Sequence, residues 1–371
     1  MRLIVEREEL LKPLQLVMGV VERKQILPIL SNVLVEVKGN SISLTGTDLE
    51  VELVGQLQFN NPSNSHGKLT LPGRKLMDIF KALPETSSVE IHEDNGRAVI
   101  ISGRSRFTLS TLPADDFPNV DQSTPDIQFS IKQSLLHNLI QRCAFSMAQQ
   151  DVRYYLNGLL LEITSDHLRV VATDGHRLAS ATLQHTALKT DKKTQVIIPR
   201  KGVVELLRLI NSQDDSDISI EISQNNIQVR SNSYKITSKL IEGRFPDYDR
   251  VIPKKTDKEI ILEKGYFKDA LNRVAILCNE KFRGVRFEFR ANLLRILANN
   301  PEQELAEEEL KISYNFESLD IGFNVAYLIE IINSLQGDTV TLKFSSTNNS
   351  LVIDEIMDGV TSVYVVMPMR I

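Results

Sequence analysis

A repeat of about 126 residues constrains this chain more than any other feature, because a missed repeat leads to the wrong fold. The run Ser43-Leu44-Thr45-Gly46-Thr47-Asp48 is echoed by Val170-Val171-Ala172-Thr173-Asp174-Gly175 and by Ile296-Leu297-Ala298-Asn299-Asn300-Pro301. Thr47, Thr173 and Asn299 follow one another at 126 positions. A second set, Leu71-Pro72-Gly73-Arg74-Lys75, Ile198-Pro199-Arg200-Lys201-Gly202 and Gly322-Phe323-Asn324-Val325, precedes an apolar periodic stretch each time, about 125 residues apart. A third links Asp116-Phe117-Pro118 to Arg244-Phe245-Pro246, with 128 positions from Phe117 to Phe245. The period is domain-sized, so the chain is a triplicated domain and not a solenoid of short units. Its 371 residues, 42% of them hydrophobic, suffice for more than one core. The expected domains are 1–123, 128–251 and 252–371.

Each copy has one pattern. Helical periodicity comes first: Leu10, Leu11, Leu14, Val17, Met18 and Val21 in copy one, Leu135, Leu136, Leu139, Ile140, Cys143 and Met147 in copy two, and Phe267, Ala270, Leu271, Val274 and Leu277 in copy three. Pro13 inside the first pattern implies a helix start near it or a kink. Alternating runs follow, such as Val33-Leu34-Val35-Glu36-Val37 and Ser41-Ile42-Ser43-Leu44, joined by a tight hairpin at Lys38-Gly39-Asn40. A second helix and further strands close the copy. The expected class is α+β, with six helices on one side of antiparallel sheets and linkers at 119–128 and 246–258.

The charges are uneven. Lys and Arg number 43 against 48 Asp and Glu, a net charge of −5, which excludes a bulk polycation and makes any nucleic-acid surface local. Yet five of the six candidate helices carry cations: Lys12, Arg23 and Lys24; Arg74, Lys75 and Lys81; Lys132 and Arg142; Arg200, Lys201 and Arg208; Lys264, Lys268 and Arg273. The sixth carries none and has Glu330. Taken singly these are solvated faces; three copies of one helix layer would gather them on a common surface able to meet phosphates without reading sequence. Strand edges must also be covered, charged or paired. Pairing between copies joins the domains and leaves a basic edge near Arg104, Arg106, Phe107 and Leu109, and an acidic one at Glu302, Glu304, Glu307 and Glu308 with Ile276 and Leu277 on a nearby helix. Opposite charges favour head-to-tail association, which closes as a ring or runs on as a filament.

The sequence strings Leu44-Thr45-Gly46-Thr47-Asp48-Leu49-Glu50, Gln150-Asp151-Val152-Arg153-Tyr154-Tyr155-Leu156-Asn157-Gly158, Ala172-Thr173-Asp174-Gly175-His176-Arg177-Leu178, Gly243-Arg244-Phe245-Pro246-Asp247-Tyr248 and Tyr364-Val365-Val366-Met367-Pro368-Met369-Arg370 closely resemble the bacterial DNA polymerase III beta subunits, the sliding clamps, over the whole chain. The resemblance implies a ring-shaped homodimer of six similar domains, helices lining the hole, that encircles duplex DNA or a primer-template junction. It implies no cofactor, no catalysis and a cytoplasmic setting. By position, Lys24, Arg74, Gln150, Tyr154 and Tyr155 match DNA contacts, with one of the tyrosines expected to pack under the sheet. A partner pocket maps onto Leu156, Thr173, Gly175, His176, Arg177, Leu178, Pro246, Arg250, Val251, Asn324, Tyr327, Val365, Val366, Met367, Pro368, Met369 and Arg370, suited to a short peptide with Leu and Phe anchors. Through it would dock the polymerase catalytic subunit, the clamp loader, other polymerases and repair proteins. The dimer interface would use Lys75, Arg104, Arg106, Phe107 and Leu109 against Ile276, Leu277, Glu302, Glu304, Glu307 and Glu308. Two departures stand out: Leu305 sits where a further carboxylate is expected, and Ile371 replaces a usual Leu.

An enzyme of triplicated domains acting on nucleotides is the rival reading, and a purely structural oligomer a third. The most enzyme-like string, Thr173-Asp174-Gly175-His176-Arg177, reads better as a hairpin turn with a pocket-lining His, for the chain has no HExxH, CxxC, phosphate loop or GxSxG. Cys143 and Cys278, in apolar patterns 135 positions apart, read as buried thiols. No run approaches the ~18 apolar residues of a membrane span, and acidic residues arrive too early for a signal peptide.

Overall fold

The structure, a computed structural model, describes residues 1–21, 27–58, 66–120, 124–184 and 193–370. Each copy opens with a short strand that the helical periodicity hides, because it runs straight into the helix: Arg2–Glu6 before α1 (Arg7–Val17), Ile127–Lys132 before α3 (Gln133–Ala144), and Lys258–Glu263 before α5 (Lys264–Ala275). Four strands follow, then the second helix, which is α2 (Gly73–Ala82), α4 (Arg200–Leu209) or α6 (Val325–Ser334), and then three strands. The strand Ile127–Lys132 and the 3-10 turn Tyr248–Arg250 take up part of the segments expected as linkers. No helix among the described residues is long and apolar enough to cross a membrane.

The strands form four sheets among the described residues, all their pairings antiparallel. Two have four strands and lie within copy one and copy three. Two have eight and join copies, one through the pairing of Val51–Gln58 with Tyr234–Lys239, the other through Arg177–Gln184 with Val360–Val366. The strand Ser105–Ser110 is an edge of the copy-one sheet, and Leu305–Lys311 is an edge of the copy-three sheet. By contacts the chain divides into unit 1, residues 1–136 and 201–240, and unit 2, residues 137–200 and 241–371. The central copy is therefore shared, one of its four-strand sets in each unit.

The repeat is legible bond by bond at the hairpin after the third strand of copies one and two. Thr47 Oγ1 donates to Val51 O, and the Asp48 carboxylate accepts from the backbone N–H of Glu50 and Val51. Thr173 Oγ1 donates to Arg177 O, and Asp174 accepts from His176 and Arg177 in the same way. Such side-chain turns replace backbone partners and explain the Thr-Asp pair. The residue after the Asp is left-handed in both, Gly175 at φ +88° and Leu49 at +78°. The enzyme-like string is thus a turn.

In unit 1, α1 packs on the strand Val51–Gln58 and on α2, burying Leu10, Leu14, Val17, Leu76 and Phe80. Pro13 lies inside α1, neither starting nor ending it. It is accommodated because Gly55 faces it: a Cβ there would stand 2.7 Å from Pro13 Cβ. Arginines close helix ends. Arg7 donates to Phe80 O (2.7 Å) and Lys81 O (3.2 Å) at the end of α2, and Arg208 donates to Gln15 O (3.4 Å) and Leu16 O near the end of α1, placing a cation where last-turn carbonyls concentrate negative charge. In unit 2, Phe267, Phe287, Phe289, Phe323, Phe344 and Tyr314 form a buried aromatic core with ring centroids 4.6–6.1 Å apart.

The Gly55 contact yields a direct test. Gly55→Ala should destabilise the chain by roughly 1–3 kcal/mol through overpacking against Pro13, read as a lower urea midpoint; an unchanged midpoint would show that α1 can move away freely.

Candidate nucleic-acid and peptide interfaces

The loop between α3 and the strand Gly158–Ile163 presents Gln150, Tyr154 and Tyr155. It is tied by reciprocal bonds, Asp151 N–H to Asn157 Oδ1 and Asn157 Nδ2 to Asp151 O, both 2.9 Å. Gln150 is exposed and left-handed at φ +56°. Arg153 grips the Asp151 carboxylate at 2.9–3.0 Å, and this pairing holds the acid well below its ordinary value, at about 2. The tyrosines divide their work as expected of one of them: Tyr154 is 57% exposed, while Tyr155 packs on a buried apolar cluster, the two rings meeting edge to face at 5.8 Å.

The cations are fewer than the sequence suggests. Arg142 is 2% exposed, 3.0 Å from Ser362 Oγ and 3.5 Å from the Glu355 carboxylate, so it is a buried group and not a surface cation. Lys201 pairs with Asp48, Arg208 caps α1 and Arg273 is held by Glu308 at 2.6 Å. Lys12, Arg74, Lys75, Lys81 and Lys132 are exposed. Arg74 and Lys75 line a cleft of about 440 Å3 with Met18, Val21, Pro72 and Asp78. Lys24 and its neighbour Arg23 lie outside the described residues.

Unit 2 gathers most of the expected peptide-pocket residues. Leu178 and Val365 pair across strands and belong to a buried apolar cluster with Leu160, Val171, Ile197, Phe245 and Tyr248. His176, Pro246, Arg250 and Val251 are exposed. The C-terminal segment leaves its strand beside the hairpin, Met367 N–H donating to His176 O (3.0 Å) and Met369 N–H to Gly322 O (2.8 Å), with Met367 itself exposed. Asn324 caps α6 by accepting from Ala326 N–H at 2.9 Å. Five expected pocket members are buried: Leu156, Leu178, Val365 and Val366 are 0–2% exposed and belong to the core. Arg177, 8% exposed, spends its donors on Asp174, Glu330 and Phe145 O and lies over the Tyr327 ring at 4.4 Å. It braces Tyr327 and is held in place by these three partners.

Beneath this surface lies a group that the sequence reading passed over. Glu162, 1% exposed in the strand Gly158–Ile163, accepts from Lys193 (2.8 Å), Gln195 (2.7 Å), His167 (3.2 Å) and the Tyr248 hydroxyl (2.9 Å), with Arg169 at 3.5 Å. Burial pushes its carboxyl up, but these donors outweigh burial and hold it at about 2. Burial also pushes the Tyr248 phenol up to about 12, so it stays a donor. The knot pins the turn Tyr248–Arg250, and with it the segment carrying Pro246, Arg250 and Val251, onto the sheet. A lone carboxylate in the apolar run Leu159-Leu160-Leu161-Glu162-Ile163 was the available signal.

The two edges carry the expected charges. Arg104 and Arg106 are exposed on the hairpin of Ser105–Ser110 and Phe107 is half-buried, but Leu109 is 9% exposed and faces the core. Of the acidic run, Glu307, Glu308 and Glu309 lie in the strand Leu305–Lys311, while Glu302 and Glu304 precede it. Three of its acids already have cationic partners: Glu307 and Glu309 bind Arg295 at 2.9 and 3.4 Å, and Glu308 binds Arg273, which holds the Glu308 carboxyl below its ordinary value. Glu302 is exposed, and Glu304 accepts from Asn300 Nδ2 at 2.6 Å. Ile276, just past α5 and 77% exposed, and Leu305, 60% exposed, are apolar surface, whereas Leu277 is half-buried.

Three family models match in succession: the DNA polymerase III beta subunit N-terminal domain over residues 1–121, the central domain over 130–247 and the C-terminal domain over 249–370. The beta sliding clamp of Pseudomonas aeruginosa is 50% identical over 371 residues, 100% of each chain, and that of Escherichia coli K12 is 45% identical with the same coverage. The crystal structure of a P. aeruginosa sliding clamp (DNA polymerase III subunit beta) bound to griselimycin superposes with a TM-score of 0.95 at 49% identity, covering 100% of both chains.

The Glu162 knot has a signed pH dependence. Its folded value lies below the ordinary 4.5, so its stabilisation is complete above pH 4.5 and is lost as pH falls toward about 2. Glu162→Gln should cost about 3 kcal/mol near neutrality and little near pH 2, measured by urea unfolding followed at unit 2; an equal cost at both ends would rule out a charged Glu162 as the anchor.

Proposed function

Because this chain belongs to the DNA polymerase III beta subunit family, and is a sliding clamp serving as processivity factor of a bacterial replicative polymerase, we propose that two copies close head to tail into a ring around duplex DNA. The three domains of each chain are 1–123, 128–251 and 252–371. The observation that carries this reading is pairing between copies on a common register, which leaves the basic strand Ser105–Ser110 and the acidic strand Leu305–Lys311 as sheet edges of opposite character. Phe107, Arg104, Arg106 and Lys75 of one copy meet Ile276, Leu277, Leu305, Glu302 and Glu304 of the other. Glu307 and Glu308 contribute by exchanging their Arg295 and Arg273 partners or by keeping them as a charge-neutral rim.

A tight binder would have to break its contacts at each step along DNA, whereas an encircling ring stays on when every contact is weak. The net charge of −5 and the few exposed helix cations fit weak, sequence-independent, salt-sensitive contact. Arg74 and Lys24 meet phosphate, Gln150 bonds the backbone, and the exposed Tyr154 ring stacks on an unpaired base with Tyr155 supporting it from behind. The polymerase catalytic subunit, the clamp loader, other polymerases and repair proteins dock short Leu- and Phe-bearing peptides on the unit 2 surface over Leu178 and Val365, rimmed by Thr173, Gly175, His176, Pro246, Val251 and Met367 to Arg370. Met367 and Met369 adapt to different occupants. The role is that of an accessory subunit without catalysis or cofactor.

Ile276→Ala with Leu277→Ala should shift the mass in light scattering from two chains to one at micromolar concentration, and an unchanged mass would place the interface elsewhere. Loaded protein should stay on nicked circular DNA and leave once the DNA is cut to a linear form; equal retention on both would contradict encirclement. Deleting residues 367–371 should weaken polymerase binding at least tenfold with the dimer intact.

A further inference from the structure

The two eight-stranded sheets share one register, so each position over the peptide surface of unit 2 has a counterpart in unit 1. Leu178 pairs with Val365 as Glu52 pairs with Thr237, and Leu160 pairs with Val171 and Ile197 as Leu34 pairs with Thr45 and Thr70. Val363, opposite Ser180, corresponds to Lys235, opposite Val54. The backbone frame is repeated and the chemistry is inverted.

In unit 2 Leu160, Val171, Leu178, Ile197, Val363 and Val365 are all apolar, with Ser180 the one polar residue in the comparison. In unit 1, Glu52 is 5% exposed and bound to Lys235 at 3.1 Å, with its second oxygen 3.4 Å from Val120 N–H. Thr237, 6% exposed, has a buried hydroxyl with no hydrogen-bond partner among the described residues and lines a cleft of about 320 Å3 beside Val120 and Lys235. At the hairpin, where Gly175 has no side chain, Leu49 places one, 38% exposed.

We propose that Glu52, Lys235, Thr237 and Leu49 are specificity-determining residues that deny apolar-anchored peptides a second site in each chain. The inference rests on the peptide surface proposed for unit 2. A Leu or Phe anchor seated over unit 1 would be set against a buried ion pair and the unpartnered Thr237 hydroxyl, while over unit 2 the same anchor is backed by the apolar cluster of Leu178, Val365, Leu160, Val171 and Ile197. One site per chain is therefore set by side chains on a frame that occurs twice.

The test is titration calorimetry of the full-length protein with a synthetic peptide carrying Leu and Phe anchors. Wild type should bind one peptide per chain. The forward variant Leu49→Gly/Glu52→Leu/Lys235→Val/Thr237→Val should bind two, the added site within about a hundredfold of the first, and the reverse variant Leu178→Glu/Val363→Lys/Val365→Thr should bind none. The intact unit 2 site of the forward variant reports that the chain is folded. Should it not fold, the near-isosteric pair Glu52→Gln/Thr237→Val gives the same readout, with weak second binding expected. A wild type that binds no peptide, or keeps its site through the reverse exchange, overturns the placement of the peptide surface in unit 2. A wild type with two sites, or a folded forward or isosteric variant still limited to one while the reverse exchange abolishes binding, overturns this inference alone.

Discussion

The fold depends on what happens at strand edges. An edge carries a row of unmet N–H and C=O groups, and a chain with three similar copies multiplies them. Here Val51–Gln58 takes Tyr234–Lys239 as its neighbour and Arg177–Gln184 takes Val360–Val366, so four edges become two continuous sheets. Because the pairing is antiparallel and in register, each copy is aligned on the next by hydrogen bonds that do not depend on which side chains occupy the surface. The peptide surface then lies on one of these sheets, at Leu178 and Val365, and on the turns hung from it.

A second layer of organisation is carried by buried charge. Arg142 with Glu355, Arg177 with Glu330, and Glu162 with Lys193 and the Tyr248 hydroxyl join segments far apart in sequence. Each group is expensive to bury alone and acceptable only when its partner stands in one place. Apolar packing would tolerate sliding by a fraction of an ångström; a carboxylate shared among Lys193, Gln195, His167 and Tyr248 does not. The segments around the peptide surface are therefore held by directional bonds as well as by burial.

Much of this was legible in the sequence for a physical reason. Helix periodicity and the Thr-Asp turn are local, and the repeat multiplied each signal by two or three. The copies, their helices, the hairpin at Gly39 and the two charged edges follow from neighbours in the chain. The leading strands were hidden because Arg2–Glu6 shows only Leu3 and Val5 inward before α1 begins. The roles of Arg142 and Arg177 were hidden because their partners are non-local, Glu330 standing 153 positions from Arg177. A charge in a helical pattern gives no sign of whether it faces water or a distant carboxylate. The contrast between Glu52 with Thr237 and Leu178 with Val365 needed the strand register, which the repeat alone does not supply.

The left-handed residue of the Thr-Asp hairpin has a wider meaning. Leucine is a poor choice at φ +78°, yet Leu49 adopts the shape that glycine gives its counterpart. The bend is thus dictated from outside that residue, by a threonine hydroxyl and an aspartate that clamp the chain on both sides of it. A scaffold secured in this way leaves its tip at liberty to change character, and one geometry can be bare in one half of the molecule and filled in the other.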